Sequence, residues 1–188
     1  MIEFEPATHT YRVDGVARPS VTQILRPLES SFAFVDARVL QAAREFGQHV
    51  HKAIELFNLG ELDEAALDPA LAPYLAQWKK FIFETGFEWC TGEQLVYHAK
   101  LCYAGRLDMT GIMRRKVWLI DIKSGAVPKT CALQTAAYQG ATSVKVRKRA
   151  ALQLAPDRYR LIAHEDSSDF AYFQSCLNIR LWKEKHGN

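Results

Sequence analysis

Apolar residues recur along this chain with two different periods, and the change between them organises the reading. From Phe34 to Leu59 the positions Val35, Val39, Ala42, Ala43, Phe46, Val50, Ala53, Ile54 and Phe57 lie mostly three or four apart. That spacing predicts one long amphipathic helix, ended by Gly60. A second helix is predicted from about Pro69 to Glu84, with Asp68 as its cap and Gly86 as its stop. Beyond Gly86 the pattern turns to strands: Gln94 to His98, Leu101 to Met113 and Val117 to Lys123, the last two turning on Arg114-Arg115. Thr130 to Thr142 then reads as a helix of small residues. Strands Arg149 to Leu154 and Arg158 to Ala163 follow, joined by Pro156-Asp157, and a helix from about Ser168 to Lys185 closes the chain. Ahead of all this, Asp14-Gly15 supplies the turn of a hairpin between His9–Val13 and Val16–Arg18. Pro19-Ser20 opens a short helix with Ser20 as N-cap. Helices, a strand meander, a helix, strands and a helix predict an α/β fold with a mixed central β-sheet flanked by helices.

Composition narrows the class without naming a function. The 188 residues, 48% hydrophobic and 24% charged, suit one globular domain that buries its core without disulfides. Within it, a hairpin and helices would occupy 1–86, the sheet core 87–165 and the closing helix 166–188. No apolar run approaches the ~20 residues of a membrane span, and Met1 to Pro6 lacks the basic start of a secretory signal. A cytoplasmic protein with no membrane partner is expected. Cys90, Cys102, Cys131 and Cys176 show no finger or CxxC spacing and read as small buried thiols. The net charge of +3 is a weak hint of an anionic partner.

Candidate chemistry concentrates on one strand pair. If the hairpin turns on Arg114-Arg115, opposed residues have numbers summing to 229, and Asp108 and Asp121 satisfy that sum. Like charges directly opposed are destabilising, so a fold keeps them chiefly where a cation sits between. Lys123, two residues beyond Asp121, shares its face. Val117 to Ile122 is apolar on both faces except at Asp121, as in a buried central strand. A carboxylate and a lysine at its end are costly unless paired or used. The plain alternative is an Asp–Lys ion pair at a strand end; spacing alone leaves the two readings level.

These residues resemble the PD-(D/E)XK nuclease signature. Gly105-Arg-Leu-Asp108 stands where the first acid falls, and Asp121-Ile-Lys123 followed by Ser124-Gly125 is similar to the DxK-[ST]-G form of RecB-like exonucleases. Gly47-Gln-His-Val-His51-Lys-Ala-Ile-Glu55 resembles the helix whose histidine binds metal. Glu93 stands ahead of the first acidic strand, and Gln134-Thr-Ala-Ala-Tyr138 is similar to the QxxxY motif. Pro19 to Leu25 is similar to the opening of small phage-type members, so the match spans about residues 19–163. No proline precedes Asp108, a departure common in this branch.

The resemblance implies a restriction-endonuclease-like core and a Mg²⁺- or Mn²⁺-dependent deoxyribonuclease, an exonuclease on single-stranded DNA or duplex ends. By the same resemblance it would serve recombination, repair or phage DNA processing, in the cytoplasm of a cell or an infected host, with room for a helicase or annealing partner. Asp108, Asp121, His51 and the Ile122 carbonyl would surround the metal, and Lys123 would serve the attacking water. Glu93 would touch a second metal, a metal-bound water or a lysine. Glu55 stands at i+4 from His51 on the same helical face; it orients His51 or is plain helix surface. Gln134 and Tyr138 would hold Lys123 or a DNA phosphate. Arg106 and Ser124 are further candidates for phosphate, as is the basic run Lys145, Arg147, Lys148 and Arg149, whose default is a solvated loop. The cysteine spacing of cluster-bearing relatives is absent, so no iron–sulfur cluster is expected. The rival readings are a structure-specific endonuclease of the same fold and a catalytically silent nucleic-acid-binding module.

Overall fold

The computed structural model describes residues 1–28 and 36–187. The order is β1 (Ile2–Glu5), β2 (Thr10–Val13), β3 (Val16–Arg18), α1 (Val21–Leu25), α2 (Ala37–Leu59), α3 (Ala72–Thr85), β4 (Glu88–Thr91), β5 (Gln94–His98), β6 (Tyr103–Leu107), β7 (Met109–Met113), β8 (Lys116–Lys123), α4 (Cys131–Ala141), β9 (Lys148–Leu154), β10 (Tyr159–Ala163) and α5 (Asp169–His186). The central sheet runs β10-β9-β8-β7-β4, with β8 and β9 parallel and the other pairs antiparallel. This is the expected α/β architecture with a mixed sheet, α4 making the crossover between the parallel pair.

Local signals explain most element ends. Ser20 and Gln23 form a reciprocal capping box at α1. Gly60 and Gly86 end α2 and α3 in the left-handed conformation that glycine adopts without penalty. Asp14-Gly15 and Arg114-Arg115 both take positive φ at both positions, the two-residue turn that matches strand twist. Arginine there is costly but tolerated, because the strands on either side are buried and set the register.

Two expectations are corrected, one falls on residues outside those described, and two short strands had not been expected. The predicted start of the long helix, Phe34 and Val35, lies outside the described residues, and α2 is seen from Ala37 under an Asp36 cap. α3 begins at Ala72, not Pro69, because Asp68 caps a separate turn through Ala70 N–H at 2.8 Å. The predicted strand Leu101–Met113 is two strands in different sheets, β6 pairing with β5 and β7 with β4 and β8. The break is Asp108, whose carboxylate takes a backbone N–H of β8 in place of a ladder partner. Strands β1 and β4 went unread, as each is only four residues with charged or polar alternate positions.

Alternation along β8 sorts the core into two layers. Ile120 and Ile122 point to a cluster with Val50 and Ile54 of α2 and Trp78 and Phe81 of α3. Leu119 points the other way, to Val21, Ala137, Tyr138 and Phe173. Asp121 shares the Leu119 face and so meets α4, while α2 approaches the opposite face. The carboxyl end of β8 is where the two layers come together.

Candidate active site

Asp121 is 1% exposed, and its Oδ2 lies 2.6 Å from Lys123 Nζ. Burial alone would lower the lysine's pKa. The adjacent Asp121 and Asp108 charges outweigh it and push the ammonium well above its ordinary range. Lys123 is therefore a fixed positive charge in this arrangement. Asp121 Oδ1 is buried with no hydrogen-bond partner among the described residues.

Asp108 sits one residue before β7, and the pairing of Met109 with Ile120 fixes the register sum at 229 as expected. Asp108 itself leaves the ladder, and its Oδ2 accepts the Ile122 N–H at 2.7 Å. Burial pushes its carboxyl up to about 6; His51 pulls it down, Asp121 adds to the rise, and Lys123 and the Ile122 N–H oppose it. From the other layer, His51 on α2 places Nε2 3.0 Å from the Ile122 carbonyl and Nδ1 3.6 Å from Asp108 Oδ2. The helix can come this close because Gly47 has no side chain: a Cβ there would stand 3.3 Å from Ser124 Oγ. His51, Asp108, Ile122, Glu55 and Glu93 line one small recess, together with Asn58 and Trp89.

The flanking residues are engaged with one another. Glu93 pairs with Arg106 at 2.9 Å, and the guanidinium lies 5.2 Å from the Phe4 ring centre. Glu55 pairs with Lys52 at 2.7 Å. Gln134 Nε2 donates to Tyr138 Oη at 3.1 Å. Tyr138 is 3% exposed, and burial together with Asp121 pushes its phenol well above the ordinary range. Its ring fills the space over Gly105, where a Cβ would stand 2.6 Å from Tyr138 Cε1.

The structure bears on three expected roles. Tyr138 is buried and cannot reach a DNA phosphate in this conformation; it packs behind the carboxylates instead. Arg149 is no surface contact: it is 7% exposed, donating to Asp169 Oδ2 at 3.0 Å and to the Ala132 carbonyl at 2.8 Å. Lys145 and Arg147 are exposed, but they precede Lys148, which sits opposite Trp118 and pairs with Glu165. Asp121 is three residues further along β8 than Trp118, so Lys148 is offset from that carboxylate by roughly 10 Å along the sheet, and Lys145 and Arg147 precede it toward the other end.

The cysteines also differ from expectation. Cys90 is exposed, while Cys131 is buried with Sγ 3.3 Å from Asp121 Oδ2. Sequence reading missed that contact; the signal was present in the helical spacing of Cys131, three residues before Gln134.

No family model and no curated protein matches the chain. Some solved structures do. An alkaline exonuclease (LHK-Exo) from Laribacter hongkongensis is similar over 90% of this chain and 89% of its own, with 14% identity and a TM-score of 0.49. LHK-Exo in complex with dAMP is similar over 90% and 93%, with 14% identity and a TM-score of 0.38. SSO0001 is similar over 70% of each chain, with 15% identity and a TM-score of 0.32. Likenesses this faint leave the site to be read from its own residues.

The donor set suits a hard divalent cation: carboxylates, a backbone carbonyl and one imidazole. Among the described residues no three His, Cys, Asp or Glu close into a ready cage. His51 and the Ile122 carbonyl are bonded to each other. The fit rests on the unpartnered Asp121 Oδ1 beside an Asp108 whose ionisation is disfavoured by burial. An added cation would relieve both.

Proposed function

We propose that this protein is a metal-dependent deoxyribonuclease of PD-(D/E)XK type, hydrolysing DNA phosphodiesters from single-stranded or duplex ends in the manner of the RecB-like branch. The observation that carries the reading is the buried, unpartnered oxygen of Asp121, two residues from a charged lysine and beside a second carboxylate. As a structural ion pair alone, Asp121 and Lys123 give no reason for Asp108 to be buried next to them. Together they form an anionic pocket for a cation with an ammonium at its edge.

Asp108, Asp121, the Ile122 carbonyl and His51 would hold Mg²⁺ or Mn²⁺. Such an ion, when bound, polarises a phosphoryl oxygen and acidifies an attacking water. Lys123 is held charged, so it donates N–H bonds to the water or the phosphate and does not act as the base. Tyr138 and Gln134 back the carboxylate from α4, and Ser124 lies where the strand leaves the site. Glu93 and Arg106 form the rim, where the guanidinium can exchange its carboxylate partner for a phosphate. Work on DNA ends fits a place in recombination, repair or phage DNA processing. No helix of the described residues is long and apolar enough to cross a membrane.

The test is end-labelled linear DNA with and without Mg²⁺, beside a covalently closed circle. The expected outcome is cation-dependent release of nucleotides from the linear DNA, an intact circle, and no release by Lys123→Ala. Wild-type rates from Lys123→Ala would end the proposal, and cleavage of the circle would turn it to an endonuclease. The silent-module reading is favoured by one observation, the mutual bond of His51 and the Ile122 carbonyl; tight DNA binding without hydrolysis in Mg²⁺ and Mn²⁺ would select it.

A further inference from the structure

Two donors from different elements converge on a single oxygen of Asp121. Lys123 Nζ, two residues along the same strand, lies 2.6 Å from Oδ2. Cys131 Sγ, at the first residue of α4, lies 3.3 Å from the same Oδ2. Cys131 is fully buried and stands three and seven residues before Gln134 and Tyr138, so all three share the face of α4 that meets β8. The other oxygen, Oδ1, is left buried and unpartnered.

Carboxylate torsions are broad and roughly two-fold, so an aspartate held by one flexible lysine can pivot and bring either oxygen to it. A donor fixed to the start of a helix removes that freedom, because the thiol's position is set by packing in the core. Simple packing does not account for the arrangement. An apolar side chain would fill the same space, whereas this thiol points its one polar atom at the Asp121 carboxylate.

We propose that Cys131 is a positioning residue: its S–H, donated to Asp121 Oδ2 from the first turn of α4, holds the carboxylate so that Oδ1 stays free for a divalent cation. The inference deepens the nuclease reading and rests on it for the identity of the ligand. A thiol is a weak donor, and the effect expected is accordingly at the low end for groups that orient metal-binding side chains.

Cys131→Ala removes the donor altogether, and Cys131→Ser replaces the thiol with a smaller hydroxyl that can donate in its place. Calorimetric titration of the full chain with Mn²⁺, without DNA, reads the consequence. Cys131→Ala should weaken Mn²⁺ binding about tenfold, and Cys131→Ser should recover a large part of the loss, while both lower stability in chelator alike. Equal affinity in wild type and both variants, or equal weakening in both, overturns the proposal. An independent reading needs no metal. The Cys131 S–H stretching band, isolated as the infrared difference between wild type and Cys131→Ala, should be shifted as for a hydrogen-bonded thiol and lose that shift in Asp121→Asn; an unshifted band overturns the proposal. Mn²⁺ binding with no DNA cleavage would sink the nuclease reading and leave Cys131's role standing. A wild type that binds no Mn²⁺ sinks both.

Discussion

Asp108→Asn should stabilise the metal-free protein while silencing the proposed site. The Asp108 side chain is 17% exposed, and burial with the Asp121 charge raises its carboxyl to about 6 from an ordinary 3.8, net of the pull of His51, Lys123 and the Ile122 N–H. Between about pH 4 and 6 the folded protein binds this proton and the unfolded chain does not. Stability from this group is therefore fully present at low pH and is lost as pH rises through that window. The difference between 3.8 and about 6 corresponds to about 3 kcal/mol by pH 7. Asparagine keeps an acceptor for the Ile122 N–H and carries no charge, so it escapes that loss. The variant's advantage in chelator should grow from near zero at pH 4 to about 3 kcal/mol at pH 7, or about 6–12 °C in Tm for a chain of this size. Urea and thermal unfolding across that pH range measure it directly. Added Mg²⁺ should narrow the gap by stabilising wild type alone. A variant no more stable than wild type at pH 7, or a gap indifferent to pH, would refute the reasoning that an unneutralised carboxylate is buried here.

Other substitutions probe the supports of the site. Gly105→Ala would set a Cβ 2.6 Å from Tyr138 Cε1 and 3.2 Å from Val21 Cγ2; the ring must shift, at about 1–3 kcal/mol in urea unfolding, with a loss of cleavage beyond that of an equally destabilised control. Asp169→Ala leaves the Arg149 guanidinium buried without its carboxylate, and should cost about 3–5 kcal/mol while leaving the DNA affinity of the folded protein unchanged. The double variant Lys145→Ala, Arg147→Ala should cleave within about twofold of wild type at physiological salt, because the basic run stands at the far end of the sheet and long-range charge is screened there. A larger fall in that assay would return those residues to the DNA path.

The sequence by itself carried whatever depends on neighbours along the chain. The helical period of α2 and α3, the glycines that end them, the Ser20 cap and the strand alternation of β8 are all written in short windows, where backbone propensity and burial act on the same residues. The register of β7 against β8 was legible for the same reason, since a two-residue turn leaves only one pairing. Tertiary structure decided the rest. It put α2 and α4 on opposite faces of β8, so that an imidazole from one layer and a thiol from the other meet at a single strand end. It also turned Arg149 inward to Asp169, buried Tyr138 over Gly105, and carried the basic run away from the carboxylates. Those outcomes depend on which side of the sheet each connection crosses and on which charges find partners once water is excluded, and no local pattern of residues encodes either.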